Sequence, residues 1–326
     1  MEQNLEHLQK FVYPVYQKIK ESGYEIYLVG GCMRDILMKR PITDWDLTTK
    51  ATPEEIQKLF PDSFYENEFG TVGIPIENGM IEITTYRKDL EYKDFRHPTS
   101  VEWGENLTED LKRRDFTINA IAAEIKSIKP EVDFNIIDPF NGQEDILKKE
   151  IKAVGDPEKR FTEDALRLMR AVRFATQLDF SIEADTWKAL LKNAHLLEHI
   201  SKERIRDELF KILASDRYYE GVQLLDEAGM LGIIFPQLMK GKGISQERPG
   251  RHHKTDVFTH NMLSLKETPS TDPLVRLATL LHDVGKPYVQ NFDEEGLVIF
   301  YNHEVVGAKI ASEIADSLRL SKKQKE

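Results

Sequence analysis

The chain has 326 residues, room for two or three domains, and a composition of 40% apolar and 31% charged residues excludes global disorder. With 45 basic against 56 acidic side chains the net charge is −11, so any contact with a polyanion must come from a local basic patch. Cys32 is the only cysteine, which excludes an internal disulfide framework and a cysteine-based zinc finger. No apolar run approaches the roughly 18 residues of a membrane span, and the N-terminal MEQNLEHLQKFVYP lacks an apolar signal core. A soluble cytoplasmic protein with no membrane partner is expected.

In chain order, Leu5, Leu8, Val12, Val15, Tyr16 and Ile19 recur at helical spacing and predict an amphipathic helix over 1–23, stopped by Gly23. EIYLVGG reads as a short strand ending in two glycines, CMRDILM as a helix and PITDWDLTT as a strand. ATPEEIQKLF starts a helix, with Thr52 as N-cap, Pro53 at the first helical position and acids in the first turn. Residues 71–86 alternate about an Asn78-Gly79 turn and predict a hairpin. The polar stretch 88–109 reads as a mobile loop, and 111–152 is mixed, with a strand near DFNIIDPF. Beyond Asp156 strand signals nearly vanish. The pattern is an α/β N-terminal domain of roughly 150 residues followed by helical domains, with no internal repeats.

Asp44-Trp45-Asp46 is the first group with chemistry. Residues i and i+2 of a strand share a face, so two carboxylates stand together while Trp45 turns into apolar packing. Hard oxygen ligands of this kind suit Mg²⁺ together with substrate phosphates. Glu82, opposite Ile81 and Ile83 on the second hairpin strand, is the third carboxylate that a phosphoryl-transfer metal site needs. Gly30-Gly31, at a strand-to-helix turn 14 residues before Asp44, lets backbone N–H groups approach a phosphate, and Arg34 reaches the same place.

Two arginine-rich stretches follow. In KRRDFTINA, Asp115 and Asn119 are i and i+4, helical neighbours, with Arg114 placed for a triphosphate and the other two for sugar hydroxyls or each other. In RFTEDALRLMRAVRFA, Ala165, Leu168, Met169 and Val172 form a buried stripe. Asp164, Arg167, Arg170 and Arg173 occupy the remaining circumference. An Asp–Arg pair there either reads the hydrogen-bonding edge of a base or is a surface ion pair. Residues 151–220 hold 13 bases and 13 acids, neutral against the acidic whole, which fits a place where nucleotide or RNA phosphate docks.

LVGGCMRDILM, TDWDLTT, IEITTYR, RRDFTINA and EDALRLMRAVRF, in this order through residues 24–240, resemble the class II tRNA nucleotidyltransferases, the bacterial CCA-adding enzymes and their poly(A) polymerase relatives. The resemblance implies an α+β chain: a nucleotidyltransferase head with a small mixed β-sheet (1–150), an all-α neck and body for nucleotide selection and RNA binding (151–240), and a helical domain (241–326). It implies Mg²⁺ on Asp44 and Asp46, and Gly31, Arg34 and Arg114 on the incoming CTP or ATP. Asp164 and Arg167 become the protein template that selects C or A, with Arg170 and Arg173 nearby, and the segment 88–109 the flexible loop that switches from C to A addition. The expected partners are CTP, ATP and the tRNA 3′ end. A poly(A) polymerase, or an enzyme adding only part of CCA, is the alternative within the class.

HHKTDVFTH (252–260) and LATLLHDVGKP (277–287) carry a second group. His282-Asp283 is expected to close an apolar helix with Gly285 as its C-cap. His260, His282 and Asp283, with His303 as a further candidate, are ligand types for a first-row transition metal. No later Asp is clearly placed to complete the set, Asp316 being the only nearby choice. The stretch resembles the HD domain of metal-dependent phosphohydrolases, which implies Ni²⁺ or Mn²⁺ and, as a function of a different class, phosphohydrolysis. The chain stops at SLRLSKKQKE, short of where relatives continue, so an incomplete HD domain is expected. A non-catalytic RNA-binding remnant is disfavoured by the intact Asp44/Asp46 pair.

Overall fold

A computed structural model describes residues 2–65, 70–77, 79–89, 101–104, 106–129, 132–247 and 255–325. The chain divides into two compact units, Met1–Glu163 and Asp164–Glu326.

In the first unit, α1 (Glu2–His7) runs through a π-turn at Leu8–Val12 into α2 (Tyr13–Glu21), and Gly23, at φ +90°, ends it. Leu8, Val12, Val15, Tyr16 and Ile19 are buried, but Leu5 is exposed. The wider π-turn changes the phase of the residues before it, so the apolar stripe starts one turn later than the spacing predicts. A seven-stranded sheet follows, ordered β3-β4-β5-β2-β1-β8-β9. Its strands are β1 (Ile26–Val29), β2 (Trp45–Thr49), β3 (Phe64–Tyr65), β4 (Thr71–Ile76), β5 (Gly79–Thr85), β8 (Ala122–Ser127) and β9 (Asp133–Ile137). The β2–β5 pair is parallel and the other neighbours are antiparallel, so the sheet is mixed.

One face of the sheet carries Leu28, Leu47, Val72, Ile74, Ile81, Ile83 and Ala123 into the core beneath α2. The helices α3 (Gly31–Leu37) and α4 (Pro53–Leu59) follow β1 and β2. Thr52 caps α4 as its sequence predicts: its side chain accepts from Glu55 N, and the Glu55 carboxylate accepts from Thr52 N.

Three local expectations change. Ile76 pairs with Gly79, so Gly79 belongs to the strand instead of the turn, and Asn78 lies outside the described residues. The stretch 88–109 is partly regular: β6 (Arg87–Asp89) pairs with β7 (Val101–Trp103), and α5 (Leu107–Lys112) starts at an Asn106 cap; residues 90–100 lie outside the described residues. Helix α5 also ends at Lys112, so Asp115 and Asn119 are not on a helix; Asn119 belongs to the 3₁₀ turn Thr117–Asn119. Helices α6 (Gly142–Lys148) and α7 (Pro157–Glu163) complete the unit.

The second unit is helical: α8 (Leu166–Leu178), α9 (Ala184–Asn193), α10 (Lys202–Leu213), α11 (Tyr218–Glu227), α12 (Met230–Ile234), α13 (Pro236–Met239), α14 (Val257–Lys266), α15 (Pro273–Leu281), α16 (Lys286–Val289) and α17 (His303–Ser317). A two-stranded ribbon, Asn291–Phe292 with Val298–Ile299, interrupts it. Helix α8 packs on α10 and α11, α14 on α15, and α17 on α15 and α16. Buried Arg276 of α15 donates to the carbonyls of Leu213, Ser215 and Ser270 and stacks on Tyr218. It thereby satisfies the open C-terminal carbonyl of α10.

Candidate functional site

Strand β2 starts at Trp45, so Asp44 stands just before it, exposed, and accepts a bond from Thr43 Oγ1 at 3.0 Å. Trp45 is buried with its ring stacked on His7, as its alternate position on the strand requires. Asp46 is in direct register with Glu82 on parallel β5. Neighbours in register share a face, so the two carboxylates lie side by side on the side of the sheet away from the core.

The Gly30-Gly31 turn lies against this pair. Gly30 has φ +76°, and a Cβ there would fall 2.9 Å from Arg114 Nη1 and 3.5 Å from Asp46 Oδ2. A Cβ on Gly31 would fall 3.6 Å from Arg34 Nη2 and 3.9 Å from Asp46 Oδ2. The missing side chains are what let a carboxylate and two guanidinium groups converge. Carboxylates crowded on one face repel until a cation lies between them, and a carboxylate-rich donor set of hard oxygens fits a divalent ion of the Mg²⁺ type. The cradle that a Cβ would fill is thus already shaped for charge.

Both arginines are held in place. Arg34 binds Asp35 through two bonds of 3.0 and 2.8 Å and donates to Asn119 Oδ1 at 2.8 Å. Asn119 Nδ2 donates to Asp115 Oδ1 at 3.2 Å, and Asp115 also accepts from Phe116 N. Of the two roles expected for Asp115 and Asn119, bonding to each other is the one the geometry displays, through a 3₁₀ turn in place of a helical face. Asp110, which sequence reasoning missed, is fully buried and accepts from Arg113, Arg114 and Thr48. Burial alone would push its carboxyl up, but the charges and bonds of Arg113 and Arg114 outweigh burial and hold it below its ordinary range. The only sequence signal is its spacing, i to i+3 and i+4 before two arginines.

Cys32 packs its Sγ against the carbonyl oxygens of Val29 and Asp46, and burial pushes its thiol up to about 12. It is a packing residue, not a nucleophile.

In the second unit, Ala165, Leu168, Met169 and Val172 are buried as predicted. Asp164, however, precedes α8, which begins at Leu166, and its Oδ1 accepts from Leu166 N at 3.0 Å. Its carboxylate takes a two-bond contact from Arg204 of α10, at 3.2 and 2.8 Å. Arg167 is buried instead of lying on an open face. Arg173 is bound to buried Glu208 at 2.5 Å and lies over the Phe174 ring, with Arg170 5.2 Å from that ring. Arg204 and Glu208, both from SKERIRDEL, are further residues the sequence reading missed, because only the packing of α10 on α8 reveals them.

His260, His282 and Asp283 come together: His260 Nε2 and His282 Nε2 are 3.1 Å apart and each lies 3.3 Å from Asp283 Oδ2. His303 Nε2 adds a contact of 3.5 Å to Asp283 Oδ1. Backbone carbonyls of Thr279 and Phe300 hold the Nδ1 atoms of His282 and His303, turning each Nε2 toward the carboxylate. This donor set of imidazole nitrogens and one carboxylate fits a first-row transition metal.

Two expectations fail here. Gly285 is not a left-handed cap; it has φ −77° and precedes α16. A Cβ on it would fall 2.2 Å from His303 O and 2.5 Å from Gly307 N, so the glycine is what allows α17 to bring His303 to the cluster. Asp316 is not a ligand. It lies 13 residues beyond His303 on α17, about 20 Å along the helix, and pairs with Lys325. His252 and His253 lie outside the described residues. The bond from His282 holds Asp283 low against the opposing effect of burial, together with Lys286, and raises His282 in return.

Residues 26–152 match the Poly A polymerase head domain, residues 179–241 the probable RNA and SrmB-binding site of polymerase A, and residues 260–325 the HD domain. The structure superposes on the crystal structure of Bacillus stearothermophilus CCA-adding enzyme in complex with CTP, with a TM-score of 0.67 and 32% identity over 98% of this chain and 67% of that one. The chain belongs to the CCA-adding enzyme family. Within that family it is 47% identical over 217 residues to the CCA-adding enzyme of Geobacillus thermodenitrificans, covering 66% of this chain and 52% of that protein. It is 46% identical over 280 residues to that of Lactobacillus johnsonii, covering 85% and 65%. The chain thus spans about half to two-thirds of the length of these relatives. As members of the family go, the α+β architecture is the expected one: a mixed-sheet nucleotidyltransferase head and an HD domain. No helix among the described residues is long and apolar enough to cross a membrane.

Proposed function

We propose that the chain adds CCA to tRNA 3′ ends from CTP and ATP. The observation that carries this reading is the register of Asp46 with Glu82 beside the Gly30-Gly31 turn, with Arg34 and Arg114 at the same turn. Asp44, Asp46 and Glu82 would hold a divalent cation, Mg²⁺ by the hardness of its ligands, and that ion when bound would neutralise charge at the transferring phosphoryl group.

The chain's own residues supply position. Arg34 and Arg114, each fixed by a carboxylate, aim guanidinium groups at the triphosphate without paying to order long side chains. Their charge favours departure of pyrophosphate as the RNA 3′-hydroxyl attacks the α-phosphate. Asp115 and Asn119 hold the turn against which Arg34 rests. Asp164 and Arg167 read the base, with Arg204 steadying Asp164, while Arg170 and Arg173 line the same helix. Residues 1–150 serve as the catalytic head, 151–240 as neck and body, and 241–326 as an HD-type domain, all in the cytoplasm where tRNA is processed. In the HD-type domain, His260, His282 and Asp283 favour a second activity, metal-dependent phosphohydrolysis with Ni²⁺ or Mn²⁺.

Extension of tRNA lacking its last three nucleotides, with CTP alone, ATP alone and both, tests the reading. Two C residues with CTP and a terminal CCA with both are expected. A long A tail supports a poly(A) polymerase, and a single A added only to tRNA ending in CC supports a partial enzyme. No extension at all overturns the assignment.

A further inference from the structure

The histidine cluster contains a cation that is not a metal ligand. Lys286 Nζ lies 2.5 Å from Asp283 Oδ2. That same oxygen stands 3.3 Å from His260 Nε2 and 3.3 Å from His282 Nε2. The atom a metal needs is therefore already the hub of an ammonium contact. A protonated lysine has three donors and no lone pair, so it balances the carboxylate but does not coordinate. A buried carboxylate facing imidazoles alone is costly to leave without a full positive charge, and Lys286, itself buried, provides one.

Lys286 also has a second seat. Its Nζ donates to Gln246 Oε1 at 2.6 Å and lies 5.7 Å from the centre of the Phe300 ring. Gln246 is buried, and its Nε2 has no partner among the described residues. An orphaned buried donor costs stability, and the amide is held in this orientation because its oxygen serves Lys286.

We propose that Lys286 is a resident counter-cation of the cluster, which an incoming divalent metal must displace from Asp283, and that it thereby sets the cluster's metal affinity. The proposal rests on reading the cluster as a metal site. Metal and ammonium compete for one carboxylate oxygen and repel each other at close range. Gln246 lowers the cost of the exchange because Nζ keeps that bond when it leaves Asp283. Neighbouring residues then act with opposite sign. Removing the competitor tightens metal binding, and removing its second seat weakens it. A residue that merely supported the cluster would weaken binding in both cases.

Calorimetric titration of the chelator-treated full chain with Ni²⁺ and with Mn²⁺ reads this directly, with circular dichroism melts to verify folding. Lys286→Met is expected to bind about tenfold more tightly or better, from loss of charge repulsion. Its metal-free form is expected to melt lower and to recover on metal addition. Lys286→Arg, which keeps the charge, is expected to stay near wild type, and Gln246→Leu to bind more weakly. Both keep a cation at Asp283, so they stay informative even if Lys286→Met folds only with metal. Wild-type affinity or weaker in folded Lys286→Met, or tighter binding by Gln246→Leu, overturns the proposal. Binding by none of the four chains overturns the underlying metal-site reading instead, which separates the two failures.

Discussion

The head site and the histidine cluster manage negative charge in different ways. In the head, Asp46 and Glu82 stand in register with like charge, and the nearby arginines are tied to other carboxylates: Arg34 to Asp35, Arg114 to Asp110. In the histidine cluster, Asp283 carries its own ammonium, Lys286. In the first arrangement Asp46 meets Arg34 and Arg114 across the Gly30-Gly31 turn, while in the second one buried carboxylate meets an ammonium and imidazoles.

The largest expected effect breaks the first arrangement. Asp46→Ala should reduce nucleotide incorporation by about 10³-fold or more, the scale of losing a key electrostatic group, with a melting curve recorded alongside to verify folding. Incorporation within a few fold of wild type, measured with labelled CTP, speaks against a metal role for Asp46.

Next comes the anchor of Arg114. Asp110→Ala leaves two arginines facing a buried void, and a loss of about 3–5 kcal/mol in denaturant unfolding of the first unit is expected. The sign of its pH dependence is fixed. The folded pKa of Asp110 lies below the ordinary 3.8, so its stabilisation is present above that value and is lost as pH falls through the lower folded pKa. Asp110→Asn should flatten this acid limb of the stability profile, and an unchanged limb assigns it to other groups.

A smaller effect is expected for base choice. Asp164→Ala removes the partner of Arg204 and should relax discrimination among NTPs by about 1–3 kcal/mol, the range for one hydrogen-bonded base edge. Triphosphate affinity should change less. Competition assays with mixed CTP and UTP measure the ratio, and unchanged selectivity leaves Asp164 a structural ion-pair partner.

The smallest effect belongs to the balanced cluster. Saturating Ni²⁺ or Mn²⁺ should raise the melting temperature of the second unit by only a few degrees, about 1–3 kcal/mol of linkage. A large shift argues that Lys286 offers the metal no competition.

These contrasts also mark what the sequence made legible. The shared face of Asp46 and Glu82 was legible because strand periodicity places alternate residues on one side, a purely local rule, whereas Asp44 stands before the strand. The Gly30-Gly31 turn was legible because a tight strand-to-helix turn calls for glycine, and Gly30 has φ +76°. Asp110 was not, since its role arises only when the end of α5 folds two arginines back and β2 brings Thr48 beside it. Asp164 was placed on one rod with Arg167, yet it precedes α8 and is held by Arg204 from α10, a partner 40 residues away. In the histidine cluster the ligand types were legible, but the place of Asp316 was not. The fourth contact comes from His303, through a close approach at Gly285 that no spacing rule reveals.

The most direct test of the central claim is sequencing of tRNA 3′ ends after incubation with CTP, ATP and Mg²⁺, with wild type and Asp46→Ala run side by side. The account expects CCA ends from wild type and unextended ends from Asp46→Ala. Equal extension by both proteins, or wild-type ends bearing no C, would contradict it.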